Sequence, residues 1–570
     1  GAVDRKSFRM AWRAPSVRDP EFPAFLLAQE LLAGGSGVSF LQNDWGTPAR
    51  PGSPLAAVAE DVATWYPPMG EDYVFTLSGS LPAGGDEAAV EEGVVQAIGA
   101  LASSLESADE TAQERLVAAQ DRVLRELIFD VQSTEDAAHQ LAFFAGLDAL
   151  GVLVGLPAAI RQVRPEQLAQ VLRRYLGTAQ RTVGWSVPAA EPTAASDGSQ
   201  AGGAGETERL RPVAAGRAVP AANGHADVAS VPEVHRLRNR VPLIVQRSPL
   251  SGTAHLQVVV PGAAAVAGTA GRPNDPVWGV TSLDFPLLAG ELEATLDALP
   301  GLLEALRPIQ AEPDSGGGPE QRLEQLFADL LGLPRAADGD ATATRPLLIV
   351  VTGDIEAERV RQWVERAIGG LEAPPERTLA GLNATANMTI DSVLDRPVAQ
   401  ERLGYIVRAP GPNDPAAAAW WMMRYVLSHG YEGRLGQEAI SRQGLVYYID
   451  SAYRSNGRDG WITLSMGVDP AKLAPTRELL RSELARLRRE PPSPAELAEA
   501  RSHLLGRFVS AAQSNEELAG RLARQWLWHG ELVDYRTLDA RLSRVTPEDV
   551  QRAVPEFIGG TVIAVRSGGH

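Results

Sequence analysis

The stretch APSVRDPEFPAFLLAQELLAGG, Ala14 to Gly35, is written a second time in altered form as APGPNDP, Ala409 to Pro415, followed by AAAAWWMMRYVLSHG. In both copies a proline-bounded turn leads into an apolar run that reads as a buried helix. Two further pairs follow in the same order. YVFTLSGS (Tyr73 to Ser80) answers WITLSMGV (Trp461 to Val468), and VRPEQLAQVLRRYLG (Val163 to Gly177) answers VTPEDVQRAVPEFIGG (Val545 to Gly560). Three matches in one order mark an internal duplication.

Each copy is predicted to run as an apolar helix, a glycine-punctuated connection, an alternating strand, two long helices, and a Pro-Glu helix leading to a final strand. Helix starts in the second copy are explicit: Ser493, Pro494 and Glu496 spell a capping box with proline at the first helical position, and Thr546 with Pro547 repeats the device. The fold class is α+β, repeated domains in which helices pack on one face of an antiparallel-rich sheet. The copies are placed at 1–190 and 396–570. Between them, 191–230 is rich in Gly, Ala and Pro and poor in large apolar residues, the composition of a flexible linker. A third unit occupies 231–395. There VHRLRNRVPLIVQRS (Val234 to Ser248) and HLQVVVPG (His255 to Gly262) read as a strand pair, and Leu287 to Leu306 reads as a helix that Pro300 interrupts or restarts. RPLLIVVTGDIEAERVRQWVERAIGGL (Arg345 to Leu371) reads as a buried strand turning through Gly353 and Asp354 into a helix.

A chain of 570 residues implies about three or four domains at roughly 150 residues each. A formal charge of −18, with arginines dispersed among glutamates, argues against a nucleic-acid partner. No apolar run approaches the ~18 residues of a membrane-spanning helix. The absence of cysteine excludes thiolate metal sites and thiol nucleophiles. Beginning at Gly1 without a basic-apolar leader is expected of a processed form or a fragment of a longer chain. The Gly, Ala and Arg-heavy usage points to a bacterial source.

The segment GRLGQEAISRQGLVYYIDS (Gly433 to Ser451), the opening LRNRVPLIV strand, LLIVVTGDIEAERV, PSPAELAEARSHLLGRF and the closing TPEDVQRAV together resemble the pitrilysin and insulinase type of metallopeptidase. The resemblance covers nearly the whole chain outside the linker. It implies related α+β domains enclosing a chamber for unfolded peptides, with zinc held in a first domain by an inverted HxxEH motif and a later Glu. On that plan this sequence supplies the second, third and fourth domains and lacks the first. Zinc is therefore expected in an HxxEH-bearing domain upstream in the same gene or in a partner chain, with an unfolded peptide as substrate. The family also includes non-peptidase members that act as scaffolds in respiratory complexes, and that reading stays open.

In active relatives the equivalent of Gly433 to Ser451 carries an Arg and, seven residues later, a Tyr that bind the substrate backbone. The resemblance places the tyrosine role on Tyr447. The arginine position falls on Ile440, a departure from the pattern, and Arg442 and Arg434 are the nearby candidates to replace it. If the segment is a strand, Tyr447 and Tyr448 point to opposite faces, one to the core and one to the chamber.

The remaining residues offer no other chemistry. Eight histidines are present, no two within one helical turn, and no HxxEH occurs in either direction. His503 with Glu496 and Glu499 reads as a helix-surface group or a weak metal corner. His235 and His255 read as structural. GGSGVSF (Gly34 to Phe40) is a helix-ending turn rather than a nucleophile elbow or phosphate loop. The acidic Glu291, Glu293 and Asp297 read as a solvated face. Trp420, Trp421, Trp526 and Trp528 suit either a peptide-binding wall or the core.

Overall fold

A computed structural model describes residues 5–34, 47–82, 84–107, 110–187, 231–248, 252–261, 264–265, 280–308, 318–333, 346–372, 381–395, 398 and 400–567. The predicted linker at 191–230 and most of the GGSGVSF turn lie outside them. Two compact units divide the chain, Gly1–Ala226 and Asp227–His570.

In the first unit β1 (Arg5–Ala14), β2 (Thr47–Pro48), β3 (Glu60–Trp65), β4 (Tyr73–Pro82) and β5 (Thr182–Ser186) form an antiparallel sheet of order β2-β3-β4-β1-β5. Phe8, Met10, Trp12 and Ala14 alternate inward along β1, the period of a half-buried strand. Their face is covered by α1 (Phe22–Leu32), α2 (Glu87–Glu106), α3 (Glu110–Phe129), α4 (Thr134–Gly146), α5 (Leu150–Gln162) and α6 (Pro165–Tyr175). The apolar helix read from the sequence is α1, buried nearly all round, as a central core helix is. Among the described residues no single helix is long and apolar enough to cross a membrane, and the apolar pair α4 and α5 is bent by 107°.

The second unit holds two five-stranded sheets. The first joins β6 (Glu233–Arg236), β7 (Pro242–Arg247), β8 (Thr253–Pro261), β10 (Val280–Leu288) and β12 (Leu348–Gly353) in the order β10-β8-β12-β7-β6. A two-residue ribbon pairs β9 (Ala264–Ala265) with β11 (Arg307–Pro308). The strand pair expected here is different in detail. Val234 to Ser248 is itself a hairpin, turned at Arg240 with φ +68°, and β12 lies between β7 and β8, parallel to the former and antiparallel to the latter. Fully buried β12 takes the central place because both its faces are apolar. Helices α7 (Leu292–Glu304) and α9 (Ala357–Ile368) cover one face. Pro300 does not interrupt α7: Leu296, Leu299 and Leu303 are buried on one stripe, and that packing holds the helix through the missing N–H.

The other sheet runs β13-β17-β14-β16-β15, from β13 (Thr389–Leu394), β14 (Glu401–Ala409), β15 (Val446–Ser455), β16 (Gly460–Val468) and β17 (Thr561–Ser567). The helices in this part of the chain are α10 (Ala417–Ser428), the single turn α11 (Arg434–Gly436), α12 (Leu473–Arg489), α13 (Pro494–Ser510), α14 (Asn515–His529), α15 (Tyr535–Ser543) and α16 (Pro547–Phe557). Both capping boxes form: the Glu496 N–H donates to Ser493 Oγ at 3.2 Å, and the Asp549 N–H donates to Thr546 Oγ1 at 3.2 Å. The order β15-β16-β14-β17 reproduces β3-β4-β1-β5 of the first unit, so Tyr73 to Ser80 and Trp461 to Val468 fall on equivalent strands. The α+β class read from the sequence is the observed one.

Two helices also close the remaining sheet faces. Leu323, Phe327 and Leu331 of α8 (Pro319–Leu331) pack on Ile406, Trp461 and Ile563 of the C-terminal sheet. Leu518, Ala519 and Leu522 of α14 pack on Ile244, Val259 and Val350 of the preceding sheet.

Candidate functional site

The segment that carries the family-like tyrosine is built from a tight turn into an edge strand. α11 widens at Gln437–Arg442 into a π turn, closed by the Gln443 N–H on the Glu438 carbonyl at 3.0 Å. Leu435 and Ala439 are buried and Ile440 packs beside them, which fixes the helix against the C-terminal core. Gly436 is required for that approach, because a Cβ there would overlap the Gly430 carbonyl oxygen. The helix ends at Gly444, φ +58°, with the Leu445 N–H reaching back to the Ala439 carbonyl at 2.7 Å. Lys472 Nζ holds the Gly444 carbonyl at 2.9 Å.

Strand β15 then begins with a bulge. Val446 faces Val468 and Ile449 faces Met466, so three steps on β15 match two on β16. The extra residue breaks the alternation expected for Tyr447 and Tyr448. Neither is core: Tyr447 is 81% exposed and Tyr448 39%. The Tyr448 ring lies against Gly467 and 5.9 Å from the Arg402 guanidinium, a cation–π distance. Tyr447 has no hydrogen-bond partner among the described residues, so its phenol is available to a ligand.

The arginines near it differ in kind. Arg442 is exposed and pairs with Glu438 one turn back. Arg434 is only 11% exposed, its Nε and Nη2 bound to the two Glu496 carboxylate oxygens at 2.7 and 2.9 Å and its Nη1 to the Glu490 carbonyl at 2.8 Å. These contacts tie α11 to the start of α13. Ile440 offers only apolar packing at the position where the resemblance places an arginine.

A second feature was hidden from sequence reading. His429 and His503, far apart in the chain, have ring centroids 4.0 Å apart, and Tyr425 stacks on His429 at 4.4 Å. Burial first, then the neighbouring His429, Arg507 and Arg424, push His503 down to about 4. The four-residue spacings Arg424–Ser428 and His503–Arg507 mark one polar stripe on each helix, the signal that points to a shared cleft. That cleft, about 550 Å³, lies between α10, α13, α14 and β15. The tryptophans divide between both readings. Trp420 is core against Phe557, and Trp526 packs with the α14 cluster. Trp421 and Trp528 meet Tyr453 edge-on, each at 5.6 Å, and line the cleft.

Zinc does not fit these residues. The two histidine rings meet at a tilt with Arg507 and Arg424 beside His503, and among the described residues no group of three or more His, Asp or Glu side chains converges as a metal site. His255 is buried, with Nε2 3.1 Å from Asp284 Oδ1, and His235 lies near Glu233 at 3.4 Å.

Residues 347–504 match the family model described as the peptidase M16 inactive domain. An uncharacterized zinc protease of Streptomyces coelicolor is 25% identical over 222 residues, 37% of this chain, and the chain spans about half, 48%, of that relative. Among solved structures, a peptidase M16 inactive domain from Pseudomonas fluorescens superposes with a TM-score of 0.46 at 13% identity, covering 60% of this chain and 98% of its own. The ferredoxin protease FusC, solved as an E83A mutant with Arabidopsis ferredoxin, gives 0.47 at 12% identity, covering 100% of this chain and 72% of its own. The matched segment, residues 347–504, is similar to the inactive domain of M16 peptidases, the metallopeptidase type that the motifs resemble.

Proposed function

We propose that this chain is the non-zinc portion of an M16 zinc metalloendopeptidase, enclosing and orienting unfolded peptides for an HxxEH-bearing domain encoded upstream or carried by a partner chain. Its domains on this reading are 1–190, 231–395 and 396–570, joined by the linker at 191–230. The observation that carries it is Tyr447: a phenol held outward by a bulge and a Gly444 cap, in the motif where active relatives bind the substrate backbone. In that role the hydroxyl donates to a substrate carbonyl or to the oxyanion that develops from it. Arg442 is the cation that has the freedom to join it, whereas Arg434 is held by Glu496.

One observation favours a second reading, a catalytically silent scaffold: Ile440, half-buried against the core, stands where active relatives carry the arginine. The readings part in one experiment. The chain is mixed with the HxxEH-bearing polypeptide encoded with it, and cleavage of a fluorogenic peptide is followed with and without chelator. Chelator-sensitive cleavage that needs both components supports the peptidase reading, while a rate independent of this chain leaves the scaffold. Chelator-sensitive activity from this chain alone defeats both.

A further inference from the structure

The cleft between α10, α13, α14 and β15 concentrates positive charge in a chain whose formal charge is −18. Four arginines line it, and three of them, Arg424, Arg507 and Arg521, have no carboxylate in ion-pair contact among the described residues. Arg424 Nη1 donates to the Ser451 carbonyl at 2.6 Å and to Ser451 Oγ at 3.0 Å, while its buried Nε has no partner among the described residues. Arg521 Nη1 donates to the Phe508 carbonyl at 3.0 Å, its guanidinium lies 4.7 Å from the Phe508 ring centroid, and its buried Nε is likewise unpartnered. Arg507 stands at the mouth, exposed, near Arg424 and His503. Asp450 is the one carboxylate among the described lining residues, and it forms no ion pair with any of the three.

Elsewhere in this unit Arg434 pairs with Glu496 and Arg501 with Asp539. A half-buried guanidinium with an idle N–H forfeits hydration without recovering it from the protein. The buried Nε atoms are closed to a ligand, and the donors that can meet one are Arg424 Nη2 and Arg521 Nη2, which have no partner among the described residues. Around these donors stand Trp421, Tyr453, Phe508 and Trp528, which give the cleft apolar walls. Planar guanidinium forks match a carboxylate, and aromatic walls match an apolar body rather than a hydrated dianion.

We propose that this cleft binds an organic carboxylate with an apolar or aromatic body, either a free acid or the C-terminal carboxylate of a peptide. The site is separate from Tyr447 and is tested on the chain alone, so its outcome does not depend on the peptidase reading. Isothermal calorimetry is run with N-acetyl-phenylalanine, its amide, inorganic phosphate, and a hexapeptide ending in phenylalanine with a free or amidated C-terminus. The free acids bind saturably, and each amide binds at least about tenfold more weakly, the loss of one charge-assisted contact. A peptide acid tenfold tighter than N-acetyl-phenylalanine assigns the site to peptide C-termini, and equal affinity assigns it to free acids.

Arg521→Gln and Arg424→Gln each weaken the acids about tenfold with the amides unchanged. Should either variant fail to fold, Arg507→Gln at the exposed mouth still lowers acid affinity about threefold through its charge. Amides that bind as tightly as acids, phosphate that outcompetes them, or no saturable heat up to about 20 mM would each overturn the assignment.

Discussion

Replacing Arg434 by alanine separates a lock from a substrate grip. The guanidinium makes two contacts to Glu496, at 2.7 and 2.9 Å, and two to the carbonyls of Glu490 and Pro491, at 2.8 and 3.4 Å. Its removal leaves a Glu496 carboxylate that is 31% exposed and still committed to the α13 cap. Breaking a fully buried pair costs about 3–5 kcal/mol, and screening at a partly exposed carboxylate reduces that, so about 2 kcal/mol is expected. The melting temperature should fall by roughly 4–6 °C. The acid dependence provides the check. Burial raises the Glu496 pKa, but the Arg434 and Ser493 hydrogen bonds outweigh it and bring it down to about 2. A carboxyl lowered on folding contributes fully above its unfolded value near 4.5, and that contribution is lost as pH falls through about 2. Urea unfolding of wild type, Arg434→Ala, Glu496→Gln and the double variant should therefore show coupling at pH 7 that shrinks below pH ~4.5. A variant as stable as wild type at pH 7, or a gap indifferent to acid, refutes the lock and returns Arg434 to the substrate site.

Tyr447→Ala should leave thermal stability within about 0.5 kcal/mol, because the ring buries little, and a larger loss would show packing that the exposed geometry lacks. In the reconstituted peptidase, Tyr447→Phe should lower turnover about tenfold or more if the phenol meets substrate; unchanged kinetics remove it from the site. Gly444→Ala, whose Cβ meets nothing within 4 Å, should cost about 1–2 kcal/mol from its left-handed backbone alone, with Gly444→Asn milder. Expressed separately, 231–395 and 396–570 should each lack a cooperative melt and should recover one when co-expressed, since each lacks the helix that covers one face of its sheet; two independent cooperative melts would contradict that packing.

Much of this architecture was legible because it is carried by local pattern. The alternation in β1, the apolar run of α1, and the Ser493 and Thr546 capping boxes are each fixed by residues a few positions apart. Legibility failed where distant residues decide. Pro300 reads as a break, but three buried leucines outweigh one absent hydrogen bond. Tyr447 and Tyr448 read as opposite-facing, and only pairing with β16 reveals the bulge that turns both outward. Arg434 and Arg442 look alike eight residues apart, and their difference lies in Glu496, which the sequence places on another helix.

The cleft follows from the same logic at larger scale. Its α14 wall belongs by sequence to the C-terminal domain, yet the N-terminal end of that helix is pinned to the preceding sheet. Thr352 Oγ1 donates to the Asn515 carbonyl at 2.7 Å, and Asn515 Nδ2 donates to Thr253 Oγ1 at 2.8 Å, all within buried surroundings. Leu518, Ala519 and Leu522 continue the contact along one stripe, and farther along the same helix Arg521 and Trp528 reach the cleft. One rigid helix therefore takes its position from one sheet and presents its functional groups beside the edge strand of another. The place of Arg521 is set by this contact of α14 with the sheet that holds Thr253 and Thr352, so loosening Asn515 should weaken the proposed carboxylate binding, read by the same calorimetry, without touching either arginine.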